Sequence, residues 1–265
     1  MGPQRQLALP LDLPHSFAGE VLPDPSNAEA MAWLERVEAW PNGRLAIHGP
    51  AGIGKSHLLR QVAAARGWRV LDGPALRGVP TPAPTALDDA DGVAEEAALF
   101  HLINACAAAG LPLLLAGRTP PARWPVALPD LASRLRATAA VGIAEPSDRL
   151  LATLLAREFA ERQLLVPEAV QEWLMARMPR EAAAVAEAAA RLDRAALAAG
   201  GAVTRALARA ALADWPGFNP AAEGPDLPTT AEDWAGLQAP GETAALAANG
   251  GQAGFAAFQE GQARW

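Results

Sequence analysis

Apolar residues fall three apart at Met31, Leu34 and Val37, directly behind the helix-opening pair Ser26-Asn27. That spacing predicts a helix running to Trp40. Pro41-Asn42-Gly43 reads as a turn, and Arg44 to His48 as a short strand that feeds a glycine-rich loop. A helix over Ser56–Arg66 ends at Gly67, and Trp68–Leu71 is a second strand. Gly73 to Pro84 is rich in Pro and Gly and reads as loop. Thr85–Asp89 comes next as the end of a short strand, although Val79-Pro80-Thr81-Pro82-Ala83-Pro84 is a poor approach to a central one. Glu95–Ala109 carries Leu99, Leu102, Ile103 and Cys106 on one side of a helix that stops at Gly110. Leu111–Ala116 is then a buried strand, and Val141-Gly142-Ile143 a last, short one. Strands alternating with helices argue for a parallel sheet covered on both faces, an α/β fold.

From Ser147 the apolar period is purely helical. Ser147 caps a helix with Leu150, Leu151, Leu154, Leu155 and Phe159, and Pro167 opens a second with Val170, Trp173 and Leu174. An Ala-rich third spans Arg180–Ala199 and stops at Gly200-Gly201, and Thr204 caps a fourth that reaches about Asp214. The expected organisation is an extended arm over 1–22, an αβα parallel-sheet domain over 23–143 and a small all-helical domain over 144–215. An acidic Gly/Pro/Ala-rich tail over 216–265 is expected to be largely disordered.

Composition narrows the function classes. No apolar run approaches the ~18 residues of a membrane span, and the Pro-broken N-terminus is unlike a signal peptide. A single cysteine, Cys106, fits a reducing compartment, so a cytoplasmic location is expected. The net charge is −7, and the tail carries six acids against one base. An acidic chain with no basic block is a poor candidate for direct, sequence-specific DNA binding. Among 22 basic residues the only lysine is Lys55, a compact point charge kept where a planar guanidinium would fit badly.

Lys55 falls inside Gly49-Pro50-Ala51-Gly52-Ile53-Gly54-Lys55-Ser56, which fits G-x-x-x-x-G-K-[ST]. Such glycines turn backbone amides inward around phosphate oxygens, the lysine reaches the β- and γ-phosphates, and the serine hydroxyl ligates Mg. The helix that begins here, with His57 in its first turn, adds its positive end. A nucleotide held by its phosphates, with Mg, is therefore the expected ligand. Leu87-Asp88-Asp89 is the candidate acidic motif, with Asp88 for the metal shell and Asp89 to orient an attacking water. Taken alone the pair could be a turn beside Ala90-Asp91-Gly92; beside the phosphate loop, function is favoured. Arg134 and Arg180 would each pass as solvated helix residues in isolation. The four histidines have no metal-site spacing, and Cys106 reads as core.

Taken together, these residues resemble the AAA+ ATPases, and within them the initiator DnaA and its relatives, from about Gln6 to Asp214. Pro25-Ser26-Asn27 resembles the family's adenine-side segment, and Gly49–Ser56 and Leu87–Asp89 stand where its two nucleotide motifs stand. By the same resemblance, Ser133-Arg134 is similar to the arginine-finger box, whose guanidinium reaches a neighbouring subunit's nucleotide. Arg180 is similar to the lid arginine that closes over the chain's own nucleotide. Gln6-Leu7-Ala8-Leu9-Pro10-Leu11 resembles the peptide by which proteins bind the DNA polymerase sliding clamp, with Gln6, Leu7, Leu9 and Leu11 as its partner-binding positions. The segment after the lid is acidic, in contrast to the initiator's basic DNA-binding domain. Within the DnaA-related group this combination resembles the regulators that bind ADP, dock on the clamp and stimulate hydrolysis of DnaA-bound ATP. The resemblance thus implies ADP or ATP as the nucleotide and DnaA and the clamp as partners, and leaves room for self-association through AAA+ interfaces.

The family's strand after the acidic motif usually ends in a small polar residue that senses the γ-phosphate. Here Leu115 leads to Ala116-Gly117, with nothing polar before Arg118. A nucleotide-bound regulator is favoured over a self-sufficient motor. The rival from the enzyme class is an autonomous AAA+ ATPase, such as a helicase loader or a DnaA-like initiation factor.

Overall fold

A computed structural model describes residues 20–220. The five strands are β1 (Arg44–His48), β2 (Arg69–Asp72), β3 (Thr85–Asp88), β4 (Leu113–Gly117) and β5 (Ala139–Gly142). They form one all-parallel sheet in the order β2-β3-β4-β1-β5. Helices α1 (Ala28–Glu35), α2 (Lys55–Arg66), α3 (Glu96–Ala108) and α4 (Pro129–Arg136) cover it. Four further helices complete the described chain: α5 (Asp148–Glu161), α6 (Glu168–Met175), α7 (Ala182–Ala199) and α8 (Arg205–Leu212). Among the described residues no helix is long and apolar enough to cross a membrane.

The strand period of two divides the core between the two faces of the sheet. Leu45, Ile47, Leu114 and Ala116 face Ala30 and Leu34 of α1 and Leu58, Leu59 and Ala63 of α2. The intervening Ala46, Leu113, Leu115 and Leu87 face Leu99, Leu102, Ile103 and Cys106 of α3 and Leu131 and Leu135 of α4. Each fully buried Leu or Ile is worth about 1.5–3 kcal/mol, so the central strands lock the sheet's register. The reading of Cys106 as a core residue holds, since it is fully buried.

Three local expectations change. The first helix stops at Glu35, and a separate 3-10 turn spans Val37–Ala39. The Trp33 carbonyl accepts from the Arg36 amide and the Trp40 indole N–H, which diverts it from the bond that would continue the helix. β3, expected to be a poor strand, is fully buried and paired on both sides. Its proline run ends before the ladder begins. Pro84 contributes only its carbonyl, to the Arg69 amide at 2.9 Å, and Thr85 supplies the first donor, to Pro112 O at 3.1 Å. The missing proline N–H groups thus cost the sheet nothing.

The third change concerns the end of the helical part. Ser147 and Thr204 cap α5 and α8 as expected, accepting from the Leu150 and Leu207 amides. Packing, however, runs past residue 215. Phe218 is buried with its ring 5.3 Å from that of Trp173, and the Asn219 amide donates to Arg177 O at 2.9 Å. The start of the expected tail is therefore folded onto α6, because it carries an aromatic anchor that a mainly Gly/Pro/acid composition conceals.

Candidate functional site

The loop between β1 and α2 owes its shape to glycine. A Cβ at Gly49 would lie 2.5 Å from both the Ile143 carbonyl oxygen and Ile53 Cδ1. Gly54, at φ 103°, makes the left-handed step that starts α2 directly at Lys55. Lys55 is 7% exposed and donates to the Pro50 carbonyl at 2.6 Å. Burial pushes its ammonium below the ordinary lysine value, against the pull of Asp89, Asp91 and Asp88. Among the described residues it forms no ion pair within 4.0 Å. A buried cation folded back on a loop carbonyl, inside a cradle that a Cβ would fill, suits a polyphosphate.

β3 ends beside this loop. The Ser56 hydroxyl donates to Asp88 Oδ1 at 3.0 Å, and the Asp89 amide donates to the same oxygen at 3.1 Å. Asp88 is 4% exposed, whereas Asp89 is exposed and left-handed at φ 46°, ψ 44°. Partial desolvation by the neighbouring loop raises the Asp89 carboxyl despite its exposure, and Asp88, Asp91 and Asp72 add to the rise while Lys55 opposes it. Ser56 and Asp88 offer two oxygen ligands in hydrogen-bond contact. Among the described residues no group of three His, Cys, Asp or Glu side chains could hold a metal alone. The pair therefore fits Mg, which takes its remaining ligands from phosphates and water.

Several participants escape a linear reading. Arg60 Nη2 pairs with Asp88 Oδ2 at 3.0 Å. Its position four residues after Ser56 puts both on one face of α2, a signal the sequence carries. The Gly73 amide donates to Asp88 O at 2.7 Å, and a Cβ there would collide with the Asp89 carbonyl. Asp91 accepts from the Arg118 amide at 2.8 Å and so ties the acidic turn to the end of β4. His48, half-buried at the end of β1, is lowered by burial, with Arg123 and Lys55 adding to the effect.

Beside the loop lies a mostly apolar cavity. Leu22 and Asn27 line it from the segment around the start of α1, Ile53 from the loop, His57 from α2, and Leu150, Leu154 and Arg157 from α5. Ala182, at the start of α7, also lines it. The helical part touches the loop directly, since the Ala183 amide donates to Gly52 O at 3.1 Å and the Glu181 carboxylate lies against Gly52.

Arg180 does not join this cluster. It pairs with Asp148 at 2.5 Å, both side chains being well exposed, and lines a separate groove with Met175 and Met178. α7 starts at Ala182, after Glu181 in extended conformation (φ −132°, ψ 138°). Successive side chains of an extended segment point opposite ways, so Glu181 faces the loop and Arg180 faces outward. Arg134 also stands apart. It is exposed in the last turn of α4, its carbonyl accepts from the Thr138 hydroxyl at 2.9 Å, and its charge depresses the buried Arg44 guanidinium after burial itself. That places it at the N-terminal ends of the strands, the length of β1 from the phosphate-type loop, roughly 16 Å at ~3.3 Å per residue. Gln6, Leu7, Leu9 and Leu11 lie outside the described residues.

A five-stranded parallel sheet in this order, with a phosphate-type loop after β1 and a helical lid over its end, defines an AAA+ α/β fold. No protein-family model matches the chain. Solved structures do. Domain III of the replication initiation protein DnaA from Thermotoga maritima superposes with a TM-score of 0.60 at 19% identity, over 74% of this chain and 94% of that one. AMPPCP-bound DnaA from Aquifex aeolicus gives 0.51 at 19%, over 68% of this chain and 65% of that one. RuvB of Thermotoga maritima gives 0.55 at 15%, over 71% and 67%. The likeness is therefore one of fold.

Proposed function

We propose that the chain is a DnaA-related AAA+ regulator that binds ADP or ATP with Mg and promotes hydrolysis of ATP held by DnaA. The observation that carries the nucleotide reading is the convergence of Lys55, Ser56, Asp88 and Asp89 on one glycine loop at the end of β1. In this reading Lys55 neutralises the β- and γ-phosphates, Ser56 and Asp88 hold Mg, and the base enters the cavity beside His57. The likeness to AMPPCP-bound DnaA supports the same ligand class.

A regulator is favoured over a motor for two reasons. β4 ends in Ala116-Gly117, which offers no polar side chain to a γ-phosphate, and the Asp88 carboxylate is shared between Ser56 and Arg60. Arg134 cannot serve its own loop from the far end of the strands, so it acts in trans on the nucleotide of bound DnaA, as an arginine finger. Arg180 leaves Asp148 for the phosphates when the lid closes. Gln6, Leu7, Leu9 and Leu11 dock the arm on the sliding clamp, which brings the chain to newly replicated DNA. This role is that of Hda, the regulatory inactivator of DnaA, and its site of action is the cytoplasm. The likeness to RuvB keeps one rival in view, an autonomous AAA+ ATPase. An ATPase assay of DnaA with and without this chain and clamp-loaded DNA separates the two. Acceleration only in the complete mixture supports the regulator, and vigorous turnover by the chain alone supports the rival.

A further inference from the structure

The crossing from the sheet to the helical lid spans residues 144–147, and it is bonded to a segment that precedes the first helix. The Ala144 amide donates to Ser26 O at 3.0 Å. Asp24, 7% exposed, then accepts from four donors at the same place. Ser26 supplies its amide at 3.1 Å and its hydroxyl at 2.6 Å. Ser147 supplies its amide at 3.3 Å and its hydroxyl, the latter in very close contact. The same Ser147 oxygen accepts from the Leu150 amide, so one hydroxyl both caps α5 and anchors it. Asn27 completes the unit, accepting from the Asp24 amide at 3.0 Å and donating to Leu22 O at 2.9 Å.

Both sides of this junction wall the apolar cavity, Leu22 and Asn27 from the leading segment, Leu150 and Leu154 from α5. We propose that Asp24 is a positioning residue for the nucleotide, its carboxylate pinning the first residue of the lid to the segment that walls the cavity, so that the two close on the base as one body. This inference rests on the nucleotide reading above. The chemistry suits a pin. All four donors are neutral hydroxyls and amides, and among the described residues Asp24 forms no ion pair. Burial pushes its carboxyl up, yet the bonds from Ser147 and Ser26 outweigh that and leave it below the ordinary value. It is therefore ionised at neutral pH and bound to the lid by directional contacts, which hold an angle better than apolar packing does. A second attachment joins the lid to the loop, the Ala183 amide donating to Gly52 O next to Ala182, which lines the same cavity.

The test uses the full chain and a fluorescent ADP analogue, with the release rate followed by stopped flow. Asp24→Asn removes the charge. Ser147→Asp retains an acceptor for the Leu150 amide but replaces the hydroxyl donor with a carboxylate facing Asp24, which separates capping from pinning. Each single variant should release the analogue roughly tenfold faster, the effect of losing one charge-assisted hydrogen bond. Ser147→Thr, which keeps both donor and cap, should release at the parent rate. The double variant Asp24→Asn/Ser147→Asp should recover most of the loss, because the Asn amide donates to the new carboxylate. Merely local damage would instead accumulate in the double variant. Unchanged release in both single variants, or additive losses in the double, overturns the pin while leaving nucleotide binding intact. Failure of the parent chain to bind the analogue at all overturns the nucleotide reading and the pin with it.

Discussion

The two ends of the sheet differ in how their charges are employed. At the C-terminal end, Lys55, Ser56, Asp88 and Asp89 come from two strand-helix junctions and meet within hydrogen-bond distance of one another or of one loop. At the N-terminal end, Arg134 is exposed beside a buried arginine and has no carboxylate within 4.0 Å among the described residues. The first arrangement is complete within the chain. The second is the one proposed above to meet an anion that another molecule brings. A cation kept close to a like charge gains little for folding, which is the motive for proposing that Arg134 acts on another molecule.

The sharpest way to break this contrast is at Lys55. Lys55→Ala should abolish ADP binding in calorimetry and leave the fold in place. At ADP a hundredfold above the parent's Kd, the parent should gain about 2.7 kcal/mol of stability and the variant nothing. Normal ADP affinity in the variant would end the claim that the C-terminal end is a nucleotide site. Next in size, Gln6→Ala with Leu9→Ala should eliminate clamp association in a surface-binding assay, since anchors in shallow pockets contribute about 2 kcal/mol each. ADP affinity should stay at the parent value, and a loss of both together would contradict a separable arm.

A smaller effect is expected at Gly73, where any Cβ meets the Asp89 carbonyl. Gly73→Ala should cost about 1–3 kcal/mol in denaturant unfolding, the usual range for overpacking a tight site. It should also weaken Mg-dependent nucleotide binding, because the acidic turn must move. The smallest change is at Asp89. Its carboxyl is raised, so the folded chain holds that proton more tightly than the unfolded one, and ionising it costs stability as pH rises through the ordinary carboxylate range. Asp89→Asn removes that cost and also suits the left-handed backbone, so the Tm at neutral pH should rise slightly while the rise vanishes in acid. A lower Tm at neutral pH would show that the carboxylate is a structural anchor.

Legibility along the chain depends on contiguity. Gly49–Ser56 is legible because the loop, its lysine and its hydroxyl are consecutive, and the β1-loop-α2 frame needs only local signals. Arg60 is within reach at helical spacing from Ser56. Asp24 is not, since Ser147 lies 123 residues away and nothing in Pro23-Asp24-Pro25 announces a partner. β3 is disfavoured by its proline-rich approach, whereas the strand itself starts at the residue after the last proline. The direction in which Arg180 points is likewise not legible. One residue of parity at the start of α7 decides that Glu181, and not Arg180, faces the loop.

The central claim is that this chain completes the catalytic arrangement of another molecule. It is tested most directly by single-turnover hydrolysis of ATP preloaded on DnaA, with clamp-loaded DNA and either the parent chain or Arg134→Ala. The parent should accelerate hydrolysis, by as much as the order of 10³ that arginine fingers contribute elsewhere. The variant should bind ADP and the clamp normally and leave DnaA at its intrinsic rate, and Arg134→Lys should rescue poorly because an ammonium lacks the planar fork. Equal acceleration by the parent and Arg134→Ala would contradict the trans-acting account.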